Sequence, residues 1–179
     1  LGEYEPRAIP VVAGASRLFW APDSRQLGYI ADTRIMKVAI TGGESQAICD
    51  NRGALSTGGG GAMWRDDGVI VFSRGDSAGI LQVSAMGGDP TTVVKLEPTE
   101  GDLHEPCALP GGKGILFAGH RKIGGINNIT LWANGKRRVL LELPDQTIHW
   151  PVYAPSGHIL FGRTPTTPGL WALPFSLDR

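Results

Sequence analysis

Hydrophobic positions in this chain come in short runs, many of them closed by a cluster of Pro, Asp, Ser or Gly. Residues 17–21, 26–31 and 34–40 are three such runs in succession, rich in aromatic and aliphatic residues. Short apolar runs bounded by turn residues predict strands. Gly42 and Gly43 follow. Such a pair supplies the positive φ angles of a tight hairpin, so residues 44–49 read as a fourth strand folding back on the third. The same order of runs returns at 61–64, 69–72 and 80–85, then a Gly87-Gly88 pair and 91–94. It returns again at 105–109, 114–117, 129–133, Asn134-Gly135 and 137–141, with the strongest short hairpin dipeptide in the glycine-pair position. A last set, 150–154, 158–162 and 170–173, lacks the outer strand.

The turns after the first run of each set are variants of one motif: Trp20-Ala-Pro-Asp-Ser24, Trp64-Arg-Asp-Asp-Gly68, Ala108-Leu-Pro-Gly-Gly112 and Tyr153-Ala-Pro-Ser-Gly157. Their third residues stand at 22, 66, 110 and 155, which gives spacings of 44, 44 and 45. Four strands per period in the mid-forties predict an all-β fold, a β-propeller with four blades of four-stranded antiparallel sheet. The blades are expected at 15–50, 59–95, 103–142 and 148–175. Residues 4–12 resemble the outer strands and are expected to supply one to the preceding or the closing blade. Two arrangements satisfy this pattern: a four-bladed ring closed by the N-terminal strand, or an excerpt of a larger propeller. The start at Leu1 favours the second.

Composition narrows the function. Gly 26 and Pro 13 provide the punctuation a strand-and-turn fold requires. Basic and acidic residues balance at 17 each, and basic residues cluster only at Lys136-Arg-Arg138. A phosphate backbone needs a positive field, so nucleic acid is not expected as a partner. No apolar run reaches the length of a membrane span, so direct membrane insertion by this segment is not expected either. Cys49 and Cys107 fall on strands of different blades and are expected to remain thiols.

Motifs that imitate catalytic signatures fail on context. The Gly58–Gly61 run lacks the Gly-Lys-Ser/Thr of a phosphate loop, and Gly14-Ala-Ser-Arg-Leu18 lacks the last glycine of a nucleophile elbow. Asp66-Asp67-Gly68 is not followed by the alternating oxygen ligands of a calcium loop, and Asn128-Ile-Thr130 reads as strand rather than as a glycosylation site. No catalytic residue and no cofactor is expected. Register points elsewhere. Counting six back from each turn gives Ser16, Gly60, His104 and His149, followed by Arg17, Gly61, Glu105 and Trp150. These repeat-equivalent positions belong at one mouth of the central channel, where loops of successive blades converge. His104, Glu105, His149, Trp150 and Arg17 are therefore the candidate ligand-binding residues. The two histidines find no third ligand here, since Cys107 lies deeper on its strand, so no metal is expected. Trp20, Trp64, Trp132 and Trp171 recur at strand positions and are expected to pack between blades.

Trp20-Ala-Pro-Asp-Ser24, then Leu27-Gly-Tyr-Ile-Ala-Asp32 and the strand ending in Gly42-Gly43, resembles the TolB-like propeller repeat over nearly the whole chain. Residues 35–49, 63–72 and 83–90 are similar to the C-terminal propellers of bacterial receptor-type serine/threonine kinases. The third and fourth repeats, with Pro110-Gly-Gly112 and Pro155-Ser-Gly157, depart from that pattern in lacking the turn aspartate, without which glycine can still make the turn. The kinase motifs themselves are absent from this sequence. The resemblance implies a non-catalytic propeller that binds a protein or small-molecule ligand at the channel mouth, as the sensor or interaction domain of a bacterial signalling protein. It also implies the periplasmic or extracellular side of the envelope. The alternatives are the propeller domain of a glycan hydrolase or peptidase, and a TolB-like assembly scaffold.

Overall fold

Each apolar run becomes a strand, and each turn cluster reverses the chain so that the next strand pairs antiparallel with the last. The computed structural model describes residues 8–11, 13–31, 33–51, 60–74, 78–123, 127–166 and 168–177. Blade 1 comprises β1 (Ser16–Trp20), β2 (Gln26–Ala31), β3 (Arg34–Ala39) and β4 (Gln46–Asp50). Blade 2 comprises β5 (Gly61–Trp64), β6 (Val69–Ser73), β7 (Ile80–Ser84) and β8 (Thr91–Val94). Blade 3 comprises β9 (Glu100–Ala108), β10 (Ile115–Arg121), β11 (Asn127–Ala133) and β12 (Lys136–Leu143). Blade 4 comprises β13 (Thr147–Ala154), β14 (His158–Thr164) and β15 (Gly169–Pro174). Strands neighbour one another in chain order within every sheet, and all pairs are antiparallel. The fold is an all-β, four-bladed propeller. Its fourth blade shows three strands among the described residues, in keeping with the outer strand missing from the last set of runs. The only helical turn among the described residues is a single 3-10 turn at Pro110–Gly112.

The repeated turns use one device in two chemical forms. In blades 1 and 2 the aspartate carboxylate accepts the backbone N–H two residues on: Arg25 N–H donates to Asp23 Oδ1 at 2.9 Å and Val69 N–H to Asp67 Oδ1 at 3.2 Å. In blades 3 and 4 Gly111 and Ser156 replace that aspartate, and the turn closes on a left-handed glycine, Gly112 (φ 67°) and Gly157 (φ 81°), as it also does in blade 2 at Gly68 (φ 78°).

Three layers of apolar side chains fill the spaces between successive blades. Phe19, Ile35 and Ile48 of blade 1 meet Trp64, Ile70 and Phe72 of blade 2, with the Phe19 and Trp64 rings edge to face at 6.5 Å. Val71 and Ile80 meet Leu103, Ile115 and Phe117 of blade 3. Leu116, Ile129 and Leu131 meet Ile148, Ile159 and Phe161 of blade 4. No core cluster joins blade 4 to blade 1 among the described residues. The outward face of blade 1, with Tyr29, Met36 and Val38, is instead covered by Ile9 and Ala15.

Most of the expected closing strand lies outside the described residues. Its described part, 8–11, carries no strand and packs through Ile9 on blade 1. The tryptophans also divide. Trp64 is buried and Trp132 packs on the interface of blades 2 and 3, as expected. Trp20 and Trp171 stay exposed, and the Arg163 guanidinium lies 4.3 Å from the Trp171 ring centre, so these two do not pack between blades. Both cysteines are free and buried.

Candidate functional site

All four inner strands share one irregularity. Arg17 (φ 52°), Gly61 (φ 156°), Glu105 (φ 55°) and Trp150 (φ 50°) have positive φ, and these are the four repeat-equivalent positions. A non-glycine residue costs about 1–2 kcal/mol in the left-handed region, and the chain accepts that cost three times. In blades 1, 3 and 4 the register shifts at this point, so the inner strand carries a β-bulge there.

The bulges enclose a cavity of about 260 Å³ that all four inner strands reach: Arg17 and Leu18, Gly60 to Ala62, Glu105 to Cys107, and Trp150 to Val152 line it. The lining is unequal around the ring. Blade 2 contributes backbone and small side chains, while blade 1 contributes a guanidinium, blade 3 a carboxylate and blade 4 an indole. Trp150 keeps 59% of its surface exposed, and its ring leans on His149 at 5.4 Å between centroids. Leu18 is likewise exposed at the mouth.

Glu105 ties blade 4 to blade 3. The backbone N–H of Trp150 donates to Glu105 Oε2 at 2.5 Å, across 45 residues of sequence. The same oxygen lies 3.3 Å from His104 Nδ1. Burial alone would push the carboxyl up, but the His104 imidazole and the Trp150 N–H outweigh it and hold Glu105 below the ordinary carboxylate range. Glu105 is thus an anion in a nearly water-free setting at the edge of the cavity.

The candidate residues separate into two groups. Arg17, Glu105 and Trp150 line the axial cavity. His104 and His149 do not. His104 is 3% exposed and points into blade 3, where its Nε2 lies 3.0 Å from His120 Nε2. His149 is half-buried, with its Nε2 3.4 Å from Thr164 Oγ1. Sequence reasoning missed His120 and Asp102. Asp102 sits two positions before His104, hence on the same face of β9, and that i, i+2 spacing was the available signal. A wider cleft of about 650 Å³ lies at the opposite, turn end between blades 2 and 3, lined by the Trp64–Asp67 turn and the Leu109–Gly112 turn.

No protein-family model and no curated protein matches the chain. Solved structures do. A protein assigned as TolB from Agrobacterium tumefaciens superposes with a TM-score of 0.72 at 16% identity, over 89% of this chain and 58% of that one. A gluconolactonase from Xanthomonas campestris gives 0.70 at 13% identity, over 90% and 58%. The extracellular domain of a protein assigned as a hybrid two-component system from B. thetaiotaomicron gives 0.62 at 10% identity, over 98% and 24%. The chain therefore spans less than two thirds of each of these neighbours. At such identities the likeness establishes a TolB-like propeller fold, which binding proteins and enzymes share.

Proposed function

We propose that this chain is a non-catalytic binding propeller that takes a small molecule, or a side chain of a protein partner, in the axial cavity between Arg17, Glu105 and Trp150. The observation that carries this reading is the contrast among equivalent positions. Three blades place a left-handed residue at the same point of the cavity wall, a cation, an anion and an exposed aromatic, where blade 2 has a glycine at φ 156°. Strained non-glycine residues concentrated on a concave surface are a mark of functional sites. The lining favours a ligand with an apolar face for the indole and both a positive and a negative group for the carboxylate and guanidinium. The lone carboxylate of the lining argues against glycan hydrolysis, which uses two. A signalling role is favoured by the likeness of residues 35–49, 63–72 and 83–90 to the propellers of bacterial receptor-type kinases.

The test is a fragment screen by ligand-observed NMR on the wild-type chain and on Arg17→Gly/Trp150→Gly. Hits carrying an aromatic ring and a charge are expected for the wild type and lost in a variant that keeps its melting temperature. An equal hit list for both proteins would overturn the reading.

A further inference from the structure

A second site lies within blade 3, beside the axial cavity, with which it shares Glu105. Asp102 and His104 share one face of β9, and Asp102 pairs directly with His120 of β10. The two imidazoles meet Nε2 to Nε2 at 3.0 Å, with ring centres 4.3 Å apart. Each Nδ1 edge faces a carboxylate: His120 Nδ1 lies 2.8 Å from Asp102 Oδ1, and His104 Nδ1 lies 3.3 Å from Glu105 Oε2.

This arrangement has a proton problem. A neutral imidazole carries one N–H, and a facing carboxylate draws it to Nδ1. With both rings in that tautomer, two unprotonated Nε2 atoms stand 3.0 Å apart and need a proton or a metal ion between them, and the cluster holds two carboxylates of which one is almost fully buried. His104 Nδ1 is itself buried with no hydrogen bond of good geometry, so the site's polar groups are not satisfied by one another. A cation bound by both Nε2 atoms resolves both conflicts. Two nitrogens each about 2.1 Å from one ion, the usual metal–imidazole distance, subtend roughly a right angle when 3.0 Å apart. Asp102, His104 and His120 offer donor atoms all within 4.8 Å of one another.

We propose that Asp102, His104 and His120 form a binding site for a divalent first-row transition-metal ion. The ion is bound by both Nε2 atoms, to one side of the line that joins them, and Asp102 and Glu105 orient the rings from the Nδ1 side. His120 and Asp102 are partly open to solvent, which leaves the remaining coordination positions to water or to an external donor. Imidazole donors with an adjacent carboxylate select this class of ion over Mg²⁺ or Ca²⁺, which prefer oxygen shells.

The experiment titrates Co²⁺ into the metal-free chain and follows both calorimetry and the visible d–d absorption. Zn²⁺ is then added as competitor. One Co²⁺ per chain, displaced by Zn²⁺, is expected. His120→Ala, at a half-exposed position whose folding is checked by circular dichroism, should abolish stoichiometric binding. Asp102→Asn should weaken it by about 10–100-fold, the usual effect of losing an orienting carboxylate. His158→Ala removes a half-buried histidine of blade 4, remote from the cluster, and should leave Co²⁺ binding unchanged. Absence of stoichiometric Co²⁺ binding, binding that survives His120→Ala, or binding lost in His158→Ala would each overturn the proposal.

Discussion

Blades 2 and 3 solve the same folding problem with different residues at the axis. Blade 2 opens with Gly60-Gly61 and blade 3 with His104-Glu105, and both reach positive φ at the second residue. Their interiors match closely: Phe72 and Phe117, each fully buried, stand on the second strand of either sheet. Blade 2 passes this point with a glycine at φ 156° and no shift of register, whereas blade 3 bulges there with Glu105 at φ 55°. A side chain at that position is free to take on another task, and in Glu105 it also fastens blade 4 to blade 3 through the Trp150 N–H.

The comparison breaks at its base if the two blade interiors are not equivalent. Phe72→Ala and Phe117→Ala should each lower stability by about 3–5 kcal/mol, the cost of a large buried cavity, as read by chemical denaturation. A loss confined to one of them would show that the blades do not share one cooperative core.

The next effect concerns the bulge. Glu105→Ala leaves the buried Trp150 N–H without its acceptor and should cost about 1–3 kcal/mol. Glu105→Gly suffers the same loss but relieves the left-handed strain, so it should be the more stable of the two by about 1 kcal/mol. The converse change, Gly61→Ala, places a Cβ 3.1 Å from the Glu105 Cα at a φ of 156° and should destabilise by about 1–3 kcal/mol. Equal stabilities for Ala and Gly at both positions would refute the strain argument.

The mildest substitutions are Arg17→Gly and Trp150→Gly, which should move stability by no more than about 1 kcal/mol, since strain relief offsets lost contacts. Smaller still is a pH effect remote from the axis. Burial pushes the Cys49 thiol up to about 11 from an ordinary value of 9.0, against the opposing pull of Arg74. A raised folded pKa means that the unfolded chain loses the proton first, so stability present below about pH 9 declines as pH rises toward 11. Cys49→Ser should flatten that slope in denaturation curves measured between those limits.

The difference between blades also explains what was legible in the sequence. Turn residues and glycine pairs reveal the period, and counting back from the turns reaches Arg17, Glu105 and Trp150 of the cavity wall, together with His104 and His149, which do not line it. The start of β9 was not visible: Glu100-Gly-Asp-Leu-His104 lacks an apolar run, so the inner strand of blade 3 seemed to begin at Glu105. The cluster at His104 was hidden for a sharper reason. Ile115 pairs with Ala108 and Leu116 with Cys107, whereas beyond the bulge Ala118 pairs with His104 and His120 with Asp102. The bulge slips the register by one residue and so exchanges which side chains share a face. Pairing extrapolated from the turn sets His120 opposite Leu103, and only the slip sets it opposite Asp102. Repeat arithmetic therefore finds equivalent positions around a ring, but not partners across a bulged pair.

The central claim, that the axial cavity is the binding site, is met most directly by mapping where a ligand lands. Amide shifts of the ¹⁵N-labelled chain, followed while a fragment hit is titrated in, are predicted to move at Arg17, Leu18, Gly61, Ala62, Glu105, Cys107, Trp150 and Val152, from all four blades together. Shifts confined to the turn-end cleft of residues 63–67 and 108–112, with the axial amides unmoved, would contradict it.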